Sequence, residues 1–188
     1  MKPVYQDLGK IVQISAGMLH SAALNAQNQV FVWGKHTLPT LAEDVRAQKI
    51  ASDARLPYKL SGLPDDKQVL RVSCGSHHTA VLLEDGSVYA VGISSDTNEP
   101  LHEPQQIVVP GAVELPVMFF DAHWDRTTLI GADGRSVYQV HLWKDPELQE
   151  YALFTPAWVD QLLEDVPATA KITAIHRSWK HSVAVTDE

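Results

Sequence analysis

The sequence predicts an all-β fold made of four copies of one repeat, the last of them shorter than the others. First, residues 14–24 match residues 72–82 at a constant spacing of 58 residues, the spacing from Gly17 to Gly75. Second, each matching segment is followed by a turn sequence and by a run rich in Val, Tyr and Phe, as strands of a hairpin are. Third, apolar residues occupy both faces of the strands, as in residues 79–83. Such strands are covered on both sides, so we expect successive repeats to stack on one another.

Two further copies are more diverged. The third runs over residues 120–141 and needs one inserted residue near Ser136, and the fourth begins at Ile172 and ends at Glu188. We therefore expect a single domain over residues 1–188. Its repeats are expected at residues 3–34, 57–92, 104–141 and 156–188.

Turn residues predict where the hairpins reverse. Asp85-Gly86 and Asp133-Gly134 are typical of two-residue turns in which both central residues have positive φ, and Asn28 takes this place in the first copy. A proline-led segment stands ahead of each hairpin, and proline cannot donate to a sheet ladder. We therefore expect outer strands to begin at Pro3, Pro57, Pro104 and Pro156.

Apolar residues at helical spacing predict two short helices, over residues 41–51 and 158–166. The second helix competes with the outer strand expected at Pro156. Within the second copy, we expect Val72, Val81 and Leu83 to be buried between neighbouring sheets. Gly75 is expected in a tight strand-entry conformation that a side chain would disturb, at the greatest cost if its φ is positive.

The composition disfavours several classes of function. The chain of 188 residues has 45% hydrophobic and 20% charged residues, which is typical of globular domains. Its formal net charge of −8 repels phosphate backbones and anionic lipid headgroups, so we expect no direct nucleic-acid partner and no membrane partner. No apolar run reaches the length of about 18 residues that a membrane helix needs. One cysteine and a start without a secretory signal favour an intracellular location, in the cytoplasm, the nucleus or an organelle.

Three common catalytic motifs are missing from the sequence. It lacks the H-E-x-x-H zinc motif, a phosphate-binding glycine loop and the G-x-S-x-G nucleophile turn. Cys74 lies in an apolar strand, where a thiol is normally a small buried hydrophobic group rather than a nucleophile. We therefore expect no catalytic residue, no cofactor and no metal ion, and a protein that is not an enzyme.

Residues 69–92 resemble the repeat of the regulator of chromosome condensation family. They contain V-x-C-G-x-x-H-T-x-x-L, then D-G, then V-Y-x-x-G. The first copy matches this pattern well. In the third copy His123 and Arg126 replace the glycine and the histidine, and in the fourth Ser178 replaces the glycine while His181 is kept.

This resemblance implies a β-propeller of seven blades, each a four-stranded sheet facing its neighbours. Seven repeats of about 40 to 50 residues need roughly twice this chain, so the expected fold is an incomplete arc of three to four blades. A closed ring of four blades is the alternative, because propellers of four to eight blades occur.

The resemblance also implies a partner-binding face at one end of the propeller, near the histidine of each repeat. A metal site is the competing interpretation of these histidines, but one residue per blade is spread around an axis rather than converging on one ion. Tryptophan and methionine are frequent interface anchors, although the two tryptophans of this set could instead fill the space of the lost glycines. The candidate partner-binding residues are Met18, Leu19, His20, His77, His78, Trp124, Asp125, Arg126, Trp179, Lys180 and His181.

Three functions follow from the resemblance. The first is a non-catalytic scaffold that binds a partner protein through loops on one face, as part of a large assembly. The second is guanine-nucleotide exchange on a Ran-like small GTPase, and the third is inhibition of an enzyme. The wedge and basic tail that support exchange in the chromatin-bound family member are not recognisable here.

The fourth copy stops halfway through its hairpin, where the earlier copies turn, which predicts an open edge at residues 182–186. Val183, Ala184 and Val185 include no proline and no charge, and such an edge is a template for another strand. We expect this edge to pair with a second copy or another polypeptide, or to make the chain prone to aggregate.

Overall fold

A computed structural model describes residues 7–34, 56–93, 100–107, 117–123, 126–144, 151–154, 157–177 and 181–188. The helix expected at residues 41–51 and the strand expected at Pro3 lie outside these ranges. Among the described residues, no helix is long and apolar enough to span a membrane.

The described strands form four antiparallel sheets, in which strands adjacent in sequence are also adjacent in space. Sheet 1 contains β1 (Ile11–Ala16), β2 (His20–Asn25), β3 (Val30–Gly34) and β4 (Tyr58–Lys59). Sheet 2 contains β5 (Val69–Cys74), β6 (His78–Leu83), β7 (Val88–Ile93) and β8 (Pro100–Gln106). Sheet 3 contains β9 (Val117–His123), β10 (Arg126–Gly131), β11 (Val137–Lys144) and β12 (Tyr151–Phe154). A helix, α1 (Ala157–Asp165), precedes sheet 4, which contains β13 (Ile172–Arg177) and β14 (Ser182–Thr186).

The outer strands close sheets rather than open them, which corrects the order expected from the prolines. β4 pairs with β3 of the preceding copy, with Tyr58 opposite Val32. β8 likewise pairs with β7, and β12 with β11. Each of these segments runs back antiparallel to the strand before it. It therefore pairs with the free edge of the sheet that it follows in the sequence.

The turns between the second and third strands have one residue with positive φ instead of the expected two. Gly86 has a φ of 81°, whereas Asp85 is not among the described residues with positive φ. The N–H of Gly86 donates to the carbonyl of Leu83 (3.0 Å), and the Asp85 carboxylate accepts from the N–H of Ser87 (3.0 Å). This is the pattern of a type I turn followed by a left-handed residue, so aspartate serves as a side-chain acceptor.

Apolar cores fill the spaces between consecutive sheets. Val72, Val81 and Leu83 of sheet 2 are buried and form one cluster with Ala22 and Leu24 of sheet 1, which confirms their predicted burial. We call the face of a sheet that contacts the preceding sheet its leading face, and the opposite face its trailing face. The second and third cores repeat this arrangement between sheets 2 and 3 and between sheets 3 and 4.

The helix α1 contributes to the third core. Val159 is buried in that core, and Leu162 and Leu163 pack against it from the same side of the helix. The predicted helix is therefore confirmed, and the competing outer strand at Pro156 is wrong, because apolar residues at this spacing reach a core only in a helix.

The four sheets form an open arc, as expected. Ile14 on the leading face of sheet 1 is 74% exposed, and Val183 of β14 is 55% exposed. A closed ring of four blades would place these faces against each other and bury them. Among the described strands, β14 pairs only with β13.

Candidate protein-interaction site

The turn between the first and second strands of each sheet carries the candidate rim. In sheet 1 the N–H of Gly17 donates to the carbonyl of His20 (2.9 Å), which closes the turn. The N–H of Met18 donates across to the carbonyl of Gly75 in the next turn (3.3 Å). The first two turns are therefore held side by side, at the same end of their two sheets.

Two positions of this turn differ in exposure. Leu19 is 40% exposed, and His77, at the same position of the second turn, is partly exposed. Met18 is 62% exposed, but Ser76 at the equivalent position is buried. The residue immediately before the histidine therefore reaches solvent in both turns, whereas the exposure of Met18 belongs to the open end of the arc.

The glycine of the turn is required by close packing rather than by φ. Gly75 is not among the described residues with positive φ, so the condition under which a side chain there would cost most is not met. A Cβ on Gly17 would overlap the carbonyl oxygen of Gly75 and crowd the His20 ring. Glycine at this position lets two neighbouring turns approach each other.

The repeated histidines tether one sheet to the next. Nε2 of His20 lies 3.0 Å from Oγ1 of Thr79, and Nε2 of His78 lies 3.3 Å from Oγ1 of Thr127. Both rings are buried. Buried rings offer little surface to another protein, so this burial does not favour the partner-binding role expected of His20 and His78, which stays a prediction.

The buried environment also keeps His78 neutral. Desolvation lowers the pKa of His78 well below its usual value, and the nearby His20, His123 and His77 act in the same direction. A neutral imidazole hydrogen-bonds the Thr127 hydroxyl without placing an unpaired charge in the core.

The remaining candidates are unevenly placed. Arg126 is partly exposed at the start of β10, and His181 is exposed next to β14. Trp124, Asp125, Trp179 and Lys180 lie outside the described residues. The structure thus brings together the first two turns of the rim and describes only one residue of each of the other two.

Sequence reasoning missed a polar position that lies two residues before the turn glycine. Oγ of Ser15 accepts from the N–H of Cys74 (3.0 Å), and Oγ of Ser73 accepts from the N–H of Ala122 (2.9 Å). Each hydroxyl therefore holds the first strand of the following sheet. The signal was a polar residue recurring inside an apolar strand.

The cysteine of this region is not a reactive nucleophile, and the described residues form no metal-binding cluster. Burial raises the pKa of Cys74 to about 11, against weaker opposing hydrogen bonds from Thr79 and Ser15, so the thiol stays protonated at neutral pH. Among the described residues, no group of three or more histidine, cysteine or acidic side chains could hold a metal ion.

Comparison with known proteins agrees with this architecture. The profile of the regulator of chromosome condensation (RCC1) repeat matches residues 11–37 and 69–97, which contain the first three strands of sheets 1 and 2. The regulator of chromosome condensation of Xenopus laevis is 31% identical over 129 residues, covering 66% of this chain and 29% of that protein. The human RCC1-like G exchanging factor-like protein is 29% identical over 87 residues, covering 46% of this chain and 18% of that protein.

The solved structures include human WBSCR16, with a TM-score of 0.70 and 18% sequence identity, covering 96% of this chain and 46% of that one. The chain spans less than a third of the length of the Xenopus laevis regulator and of the human RCC1-like G exchanging factor-like protein. At this level of identity the structural likeness establishes the fold alone. From the repeat pattern, the matched profile and the four stacked sheets, we conclude that the chain carries repeats of the regulator of chromosome condensation family and folds as an incomplete β-propeller of that type.

Proposed function

We propose that the chain is a protein-binding scaffold that works without covalent chemistry, through the rim formed by the turns between first and second strands. The observation that carries this proposal is the exposure of Leu19 and His77 at the same position of two adjoining turns. The contact between Met18 and Gly75 fixes the spacing of these turns. A preformed surface of this kind loses little conformational entropy when a partner binds.

The partner expected at this rim is a protein rather than a nucleic acid or a membrane. Only the residue before the histidine projects from both described turns, so successive turns offer a row of side chains along the arc. Asp125 and Lys180 occupy the corresponding sequence positions in the third and fourth copies. A row that carries apolar, imidazole, acidic and basic groups suits the mixed surface of a protein partner better than a uniformly charged polymer. The intracellular location expected from the sequence remains a prediction.

The rim is tested by a doubly substituted variant, Leu19→Glu with His77→Glu. The wild-type chain is immobilised and incubated with extract of the source cells, and retained proteins are quantified by mass spectrometry. The retained amount of at least one protein should be more than about tenfold lower with the double variant than with the wild type, because a few residues dominate the affinity of an interface.

The matched control is Leu70→Glu, which adds a charge at an exposed apolar residue of β5 outside these turns. It should retain the same proteins as the wild type. If every retained protein binds the double variant as strongly as the wild type, the rim is not the binding surface.

Guanine-nucleotide exchange on a small GTPase is the second candidate. It is supported by the likeness to the human RCC1-like G exchanging factor-like protein. The test measures release of a fluorescent guanine nucleotide from purified small GTPases, including Ran, with and without the chain. Accelerated release by the wild type and the Leu70→Glu control, but not by the double variant, would favour exchange at the same rim. Unchanged release across the panel would remove this candidate.

A further inference from the structure

The leading face of sheet 1 has the chemistry of a buried surface but is open. Ile14 is 74% exposed, whereas Val72, at the equivalent position of sheet 2, is 1% exposed. Phe120 and Ile175 at the same position of sheets 3 and 4 are also buried. At every other described copy, this position lies against the trailing face of the preceding sheet. Ile14 therefore presents one side of the apolar contact that joins the inner sheets, and no described sheet covers it.

The trailing face of sheet 4 is open in the complementary way. Val183 and Val185 of β14 are exposed. Their equivalents in sheet 1, Ala22 and Leu24, are buried against the leading face of sheet 2. The same two positions in sheet 2 face sheet 3 as Ala80 and Leu82. The end of the arc thus carries the apolar pair that elsewhere covers the position of Ile14.

The histidine–hydroxyl contact that joins inner sheets also has its two residue types at the two ends of the arc. Within the arc, the histidine that begins the second strand of one sheet contacts a hydroxyl in the following sheet. That hydroxyl belongs to the second residue of the second strand there, as where His20 meets Thr79. His181 holds the histidine position in the fourth copy, and Ser21 holds the hydroxyl position in the first. A sheet 1 placed after sheet 4 would bring these two side chains to the same relation.

We propose that the trailing face of sheet 4 binds the leading face of sheet 1 of a second copy of the chain, head to tail. The interface continues the contact that already joins sheets 1 and 2, with Val183 and Val185 covering Ile14 and with His181 facing Ser21. This pairing uses two different surfaces, so each copy keeps one open face after the first contact. Such heterologous contacts build closed rings or longer chains instead of stopping at a symmetric pair.

Two single-face variants distinguish this arrangement from other modes of association. Ile14→Glu places a charge on the leading face, and Val183→Glu places one on the trailing face. Both residues are exposed within one copy, so both variants should fold, which circular dichroism verifies. Light scattering and sedimentation velocity over a concentration series measure the mass, with Leu70→Glu as a control for an added carboxylate elsewhere.

The wild type and Leu70→Glu should increase in mass with concentration, and each face variant should stay monomeric over at least a tenfold higher concentration. An equimolar mixture of the two face variants should form a 1:1 complex and nothing larger, because one intact leading face meets one intact trailing face. A wild type that stays monomeric at every concentration would overturn the proposal and leave these faces to another polypeptide. Association abolished by only one of the variants, or a mixture that stays monomeric, would also overturn it.

Discussion

The contact between sheets 1 and 2 and the contact between sheets 3 and 4 use the same positions with different chemistry. In the first, the side-chain amide of Gln13 donates to the carbonyl of Val72 (3.1 Å) and accepts from its N–H (2.9 Å). In the last, Phe119 holds the position of Gln13 and meets the ring of His176 edge to face, with centroids 5.6 Å apart. The position reaches the following sheet in both cases, through hydrogen bonds at one end and an aromatic contact at the other.

The contact between sheets 2 and 3 lies between these two in character. Arg71, at the position of Gln13, places its guanidinium over the Phe119 ring, 4.0 Å from the centroid. The comparison teaches that the repeat preserves where a side chain crosses between sheets and not which interaction it makes. The glycine and histidine of the repeat pattern take part in the close contact between sheets 1 and 2, and the third copy, which lacks both, makes different contacts with its neighbours.

The largest effect is expected from Gly17→Ala, which breaks the close approach of the first two turns. The new Cβ would overlap backbone at Gly75, and backbone cannot move aside as a flexible side chain does. We expect a loss of about 3 kcal/mol in the free energy of unfolding, measured by urea denaturation. His123 already occupies the corresponding position of sheet 3, so His123→Ala should cost less. Equal losses for Gly17→Ala and His123→Ala would show that the first turn is not packed more tightly than the turn of sheet 3.

Acid should weaken the contact between sheets 2 and 3 through His78. Its pKa is lowered in the folded state, so the unfolded chain binds more protons below the ordinary histidine pKa of about 6.5. The stabilisation is complete above that pH and is lost as the pH falls toward the folded pKa. The slope should reach at most about 1.4 kcal/mol per pH unit.

The measurement is urea denaturation at several pH values between about 7.5 and 5. His78→Gln keeps a donor near Thr127 without the titration, so it should flatten the profile. A profile that His78→Gln does not alter would assign the acid sensitivity to another group, and His20, His123 and His77 are the neighbours to test next.

The sequence was a good guide to repeated features and a poor one to contacts between copies. The repeat, the hairpins and the burial of Val72 follow from patterns within one copy, because alternation and turn residues act locally. The roles of Ser15 and His20 depend on a residue almost 60 positions away, and no local pattern contains it. The histidine position was assigned to the rim through the family resemblance, which does not show that the ring of His20 hydrogen-bonds the next sheet.

A smaller loss is expected from Ser15→Ala. The substitution leaves the buried N–H of Cys74 without its hydroxyl acceptor, at a cost of about 1 to 2 kcal/mol. Ser73→Ala should cost a similar amount, because it removes the acceptor for the N–H of Ala122. Ser87→Ala, in an exposed turn, is the matched control and should change the free energy of unfolding by less than about 0.5 kcal/mol. If Ser15→Ala behaves as the control does, the hydroxyl does not hold sheet 2.

The smallest effect is expected at Asp121, which holds the position of these serines in sheet 3. Its carboxylate lies 3.7 Å from Nδ1 of His176; the His176 side chain is 56% exposed and the Asp121 side chain is 15% exposed. A charge interaction with a partner this exposed to solvent contributes little. Asp121→Asn keeps an acceptor for the hydroxyl of Ser73 while removing the charge. We expect a change below about 0.5 kcal/mol in the free energy of unfolding, with no dependence on salt. A loss comparable to that of Ser73→Ala, reduced by added salt, would show that the charge joins sheets 3 and 4 as firmly as the hydroxyls join the earlier sheets.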